Sequence, residues 1–265
     1  MRLWLALPLL TVSLYGQIGP PALAETMRID DPRVDAILQG LCPGSVSLSE
    51  GHWQCEACPV QTFDGKNNQH SKWRVSGAVF GHFSQDRYRE ALLGSDDCEP
   101  HSAGSKGVFL LTEDAGRWTV TSYTNGLSVS MCNAFRKRDG LDLLVCQDGF
   151  GNSTFAGENL YELDYAATAG EMAKNLISTY ITNSCARNDA GGYVQKAFID
   201  NVSVSGDRLV VNTSYARVPY RNTDECVSLT VQPLKAQNNT IVFQFNGSHF
   251  NLVSGARALT LLRSE

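Results

Sequence analysis

One hydrophobic pattern occurs twice in the chain. Asp86-Arg-Tyr-Arg-Glu90 leads into the apolar run Ala91-Leu92-Leu93, and Asp139-Gly-Leu-Asp142 leads into Leu143-Leu144-Val145, offset by 52 residues. A second run follows each: Val108-Phe109-Leu110-Leu111, then Asn159-Leu160-Tyr161-Glu162, with Phe109 and Leu160 offset by 51. Two runs recurring at nearly one offset indicate a duplicated supersecondary unit.

Around these runs the pattern is that of strands. Trp73–Phe80, Glu90–Gly94, Gly107–Thr112 and Arg117–Tyr123 are bounded by turn signals such as Asp114-Ala-Gly116. Asn125-Gly126 is a hairpin dipeptide that would place Trp118, Val120, Val129 and Met131 on one face, with Thr119, Thr121, Ser128 and Ser130 on the other. Further strands are expected at Tyr193–Ser203 and Asp207–Val218 around Ser205-Gly206, and at Cys226–Val231 and Thr240–Phe245 around Asn238-Asn239. Asn246-Gly247 would set Phe243 opposite Phe250 and Ile241 opposite Leu252, and Ala258–Leu262 would close that sheet.

Two segments have helical spacing. Asp31 can cap and Pro32 can open a helix whose Val34, Ile37, Leu38 and Leu41 share a face. Thr168-Ala-Gly-Glu171 has the capping-box form, and Met172, Leu176 and Tyr180 then recur every four residues beside Ile177 and Ile181. The expected fold is mainly β with two short helices and antiparallel sheets: a blade-like repeat in the first half, a helix plus antiparallel meander (α+β) in the second. A boundary just before the second helix divides the chain into 25–165 and 166–265.

Residues 1–24 read as a secretory signal, with Arg2, a mostly apolar Leu3–Leu14 and Ala22-Leu23-Ala24 as the cleavage form. No later apolar run is long enough to cross a membrane. The formal net charge is −5, and no basic run exceeds Arg136-Lys137-Arg138, which argues against a nucleic-acid partner. All eight cysteines follow the signal, and an even number in an exported chain points to disulfides. Cys55-Glu-Ala-Cys58 leaves redox and metal readings open beside the structural one. Cys185 and Cys226 alone follow the proposed boundary, so they are expected to pair. These features place the protein outside the cell or in the periplasm.

The segment Phe80-Gly81-His-Phe-Ser-Gln-Asp86-Arg-Tyr-Arg-Glu90-Ala-Leu-Leu-Gly94 resembles a degenerate FG-GAP repeat. That is the blade unit of integrin α-chain β-propellers and of many secreted bacterial proteins. The second copy keeps Asp139, Gly140 and Asp142. The resemblance implies a calcium loop in which Asp86 and Glu90 would be ligands. His82 and Ser84 stand where the family has Asp and Asn, and Arg136 and Lys137 occupy the second copy's ligand region. Calcium needs about six to eight oxygens, so these departures weaken the implication.

The chain has no nucleophile elbow, no H-E-x-x-H and no phosphate-binding glycine loop. Its densest polar cluster is Asp96, Asp97, Glu99 and His101 beside Cys98, set among loop-forming residues. Five glycosylation sequons occur, beginning at Asn152, Asn201, Asn212, Asn238 and Asn246. Two functions follow: an exported disulfide-containing β protein that acts as a binding or cell-envelope module for an extracellular or periplasmic ligand, or an exported hydrolase with its site near Asp96–His101.

Overall fold

The computed structural model describes residues 24–28, 31–42, 46–49, 52–58, 72–85, 87–96, 98, 106–151, 155–168, 170–182, 185 and 192–263. Asp86, Asp97, Glu99, His101 and the expected signal up to residue 23 lie outside the described residues.

The repeat becomes sheet. Strands β4 (Trp73–Gly81), β5 (Arg89–Asp96), β6 (Lys106–Asp114) and β7 (Arg117–Asn125) form an antiparallel meander. Its β4 edge is extended by β3 (His52–Cys55) and β2 (Val46–Ser49), and β1 (Glu25–Met27) also pairs with β4. A second meander follows: β8 (Cys132–Arg136), β9 (Asp142–Gly151), β10 (Phe155–Leu163) and β11 (Ala173–Ser178). The equivalent runs of the repeat occupy equivalent strands, Ala91–Leu93 in β5 and Leu143–Val145 in β9. The third meander comprises β13 (Gly192–Ser205), β14 (Arg208–Tyr220), β15 (Gln237–Phe245) and β16 (Phe250–Ser254). The short β12 (Ile181–Thr182) joins it to β10.

The meanders stack as layers because the central strands are apolar on both faces. On one side of the first, Trp73, Phe80, Leu93, Phe109 and Leu111 pack with Val34, Ile37 and Leu38 of α1 (Pro32–Leu41). On the other, Val79, Leu92, Val108 and Leu110 meet Leu144, Cys146, Tyr161 and Leu163 of the second meander. The opposite face of the second meander, through Phe135, Leu143, Val145 and Leu160, meets Leu209, Val211, Ile241 and Phe243 of the third. The α1 cap forms as expected, with the Asp31 carboxylate accepting from the Arg33 N–H.

Four sequence readings change. The expected helix after Thr168 is a single Thr168–Glu171 turn followed by β11, which pairs with β10. A β-bulge at Leu160/Tyr161 shifts that pairing, so the neighbouring Leu176 and Ile177 are both buried and the pattern imitates a helical face. Cys226–Val231 belongs to helix α2 (Thr223–Val231), capped by Asn222, which accepts from the Glu225 N–H. Ala258–Leu262 belongs to helix α3 (Ala256–Arg263), with Ala258 and Leu262 buried four residues apart. The Asn125-Gly126 hairpin does not form: β7 pairs with β6 alone, and the chain crosses at Ser128–Ser130 to begin the second meander.

The β15–β16 register also moves by two residues, to Phe245↔Phe250 and Phe243↔Leu252. The Asn246 side chain accepts from both the Ser248 and His249 N–H groups and widens the turn. A shift of two preserves which residues share a face.

The described cysteines form four disulfides: Cys42–Cys55, Cys58–Cys98, Cys132–Cys146 and Cys185–Cys226. Cys55 and Cys58 thus have different partners. Cys132 and Cys146 face each other across β8 and β9, and Cys226 ties α2 to the segment at Cys185.

Candidate functional site

The acids of the repeat are buried at matching places. Glu90 and Asp142, the residues immediately before the two repeated runs, are both fully buried. Glu90 accepts from the Phe83 and Ser84 N–H groups and from the Ser84 hydroxyl, closing the β4–β5 turn. Its oxygens accept three bonds from N–H and O–H donors of that turn, an arrangement that anchors the loop. Asp142 accepts from the His82 N–H at 3.0 Å and lies 2.8 Å from the Arg136 guanidinium, while its own N–H donates to the His82 carbonyl. Burial raises its pKa, opposed by the His82 N–H and by the Arg136 charge. This residue therefore fastens the second meander to the first.

The same seam holds Tyr161. Its hydroxyl donates to the Ser128 carbonyl at 2.6 Å and accepts from the Ser128 N–H at 3.1 Å, and burial pushes its pKa up to about 12. Between the second and third meanders, a cleft of about 320 Å³ gathers Glu162, Asp164, Glu171, Lys174 and His249. Two of its acids are paired: Lys137, from outside the lining, bonds both Asp164 oxygens at 3.0 and 3.1 Å, and Lys174 lies 3.5 Å from Glu162, which also accepts from the Phe250 N–H. Of the Asp96–His101 cluster only Asp96 is described, at the end of β5 opposite Lys106 and Arg74.

The outer face of the third meander is different. A bulge in β13 between Ile199 and Asn201 turns Asp200 outward. The Glu158 carboxylate, reaching from β10, accepts the Ile199 N–H at 2.7 Å and holds that bulge. Beside it opens a shallow groove of about 570 Å³ lined by Asp200, Asn212, Thr213, Ser214, Asn238 and Thr240 with Asn239. Asp200 accepts from the Ser214 hydroxyl at 2.9 Å, and Asn212 accepts from the Thr240 hydroxyl at 3.0 Å. These two bonds orient the groups that remain: the second Asp200 oxygen as an acceptor and the Asn212 amide N–H pair as donors. Phe198, 40% exposed, stands directly opposite Ser214.

No family model, curated protein or solved structure matches this chain. The reading of the site therefore rests on its own chemistry.

Sequence reasoning did not single out this groove, although its signal was present. Three of the sequons, beginning at Asn201, Asn212 and Asn238, fall on adjacent strands here. In a strand, residues two apart share a face, so each sequon puts an amide and a hydroxyl on one side. Asn201 faces Asn212, Asn212 faces Thr240, and Ser214 faces Asn238.

Proposed function

We propose that this protein is an exported binding or cell-envelope module whose working surface is the outer face of the third meander. The carrying observation is the groove at Asp200 and Asn212, a set of hydrogen-bonding side chains with unfilled capacity on an exposed sheet face. The buried Glu90 and Asp142, by contrast, close a turn and a seam. The disulfides support an oxidising compartment. Among the described residues no helix is long and apolar enough to cross a membrane. The two copies of the repeat occupy equivalent strands, β5 and β9, of two successive antiparallel meanders, which supports reading it as FG-GAP-like. Because Glu90 is engaged with its own loop, no step is assigned to calcium.

The test is sedimentation of the oxidised protein with cell-envelope preparations from its producing cell. Wild type is expected to co-sediment, and Asn212→Arg, which fills the groove with a long cation, is expected to stay in the supernatant. Equal behaviour of the two proteins would remove this face from the account.

A further inference from the structure

The chemistry of the groove names a ligand class, an inference that rests on the binding reading above. The lining holds one carboxylate, no lysine or arginine, and four outward Asn, Ser or Thr side chains, Asn212, Ser214, Asn238 and Thr240. A surface of this kind offers little to a phosphate, a nucleic acid or an acidic peptide, each of which needs matched cations. It suits a neutral, hydroxyl-rich partner, whose every group both donates and accepts.

The two orienting bonds sharpen the match. Ser214 occupies one oxygen of Asp200, and Thr240 occupies the carbonyl of Asn212. An outward acceptor and an outward amide donor thus stand in one groove. Adjacent hydroxyls of a sugar ring satisfy such a pair at once, one donating to the carboxylate and the other accepting from the amide. Phe198 supplies the apolar element, a half-exposed ring on the same face that the C–H face of a pyranose can cover. The strands set these groups at repeats of about 4.8 Å across the sheet and about 6.8 Å along it, a scale on which successive sugar units can be read.

We infer that the outer face of the third meander binds a neutral glycan, with Asp200 and Asn212 on adjacent hydroxyls and Phe198 against the ring. Glu158 is a positioning residue, because it holds the bulge that presents Asp200 without itself lining the groove.

The experiment uses the full oxidised protein against soluble neutral polysaccharides (a β-glucan, a mannan and a galactan), with heparin and polygalacturonate as charged controls. Affinity electrophoresis should show retardation by at least one neutral polymer, unchanged by salt. Asp200→Ala, Asn212→Ala and Phe198→Ala should each weaken it by about tenfold or more. Asp200→Asn, which keeps the shape, should weaken it less, and near-ultraviolet circular dichroism should show all four variants folded. Envelope co-sedimentation that depends on Asn212 but survives enzymatic and periodate removal of glycans would overturn the glycan inference and leave the binding reading standing. Loss of both would end both. Retardation by the charged polymers alone, or intact mass showing a glycan covalently attached at Asn201, Asn212 or Asn238, would also overturn it.

Discussion

The seam between the first and second meanders and the outer face of the third use the same polar chemistry in opposite ways. At the seam, Asp142, Tyr161 and Ser128 are buried; Asp142 is bonded to His82 beside the first meander and Tyr161 to the segment that crosses between the two. On the outer face, Asp200 and Asn212 bond only to neighbours on their own sheet and keep capacity directed outward. An acid next to an apolar run is therefore not by itself a site. What separates Asp142 from Asp200 is whether the protein already fills its lone pairs.

The strongest way to break this contrast is to loosen the third meander itself. Replacing Cys185 and Cys226 by serine opens a loop with a sequence separation of 41 and should cost about 4 kcal/mol in denaturant unfolding. A loss below about 1 kcal/mol would mean that Val194 and Tyr220 hold α2 without the bridge. Next in size is Gly77→Ala. A Cβ there would meet Ser130 Cα at 2.7 Å and the Val129 carbonyl at 2.8 Å, where the chain crosses between meanders. Backbone cannot yield as a side-chain end can, so about 3 kcal/mol of destabilisation is expected; a neutral substitution would show the seam to be loose.

Tyr161→Phe leaves the buried Ser128 N–H and carbonyl without that hydroxyl and should cost about 2 kcal/mol at neutral pH. Its folded pKa of about 12 lies above the ordinary value of 10.0, so the folded state holds the proton longer. Stability should therefore fall as pH rises through that interval, and the fall should be shallower in the phenylalanine variant. Alkaline melts of the two proteins with parallel slopes would contradict the buried hydroxyl.

A smaller effect belongs to Asp142. Burial raises its folded pKa above the ordinary 3.8, so the folded state binds the proton more readily than the unfolded chain. Its contribution to stability thus declines as pH rises upward from about 4. The stability difference between wild type and Asp142→Asn should shift against the wild type across that range, as read from melts at stepped pH. A shift in the other direction would mean that Arg136 and the His82 N–H outweigh burial.

Much of the stack was legible because strands buried on both faces leave continuous apolar runs, such as Ala91–Leu93 and Leu143–Val145. The illegible parts are those where tertiary contacts override local spacing. Leu176, Ile177 and Tyr180 have helical spacing, yet β10 offered a pairing edge and a bulge reset their faces. Asn125-Gly126 carries a hairpin signal, but residues just beyond it are drawn to Tyr161 and against Gly77. The groove was missed for a related reason. Asp200 is one acid between Ile199 and Asn201, and only the bulge, held by a carboxylate 42 positions earlier in the chain, turns it outward.

The central claim is that the outer face of the third meander carries function while the seams carry stability. Its most direct test is one doubly substituted protein, Asp200→Ala with Asn212→Ala, measured for thermal melting and for retardation by neutral polysaccharide side by side. The account predicts stability within about 0.5 kcal/mol of wild type per site, as for exposed substitutions, together with loss of retardation. A variant that melts many degrees lower, or one that binds as wild type does, would contradict it.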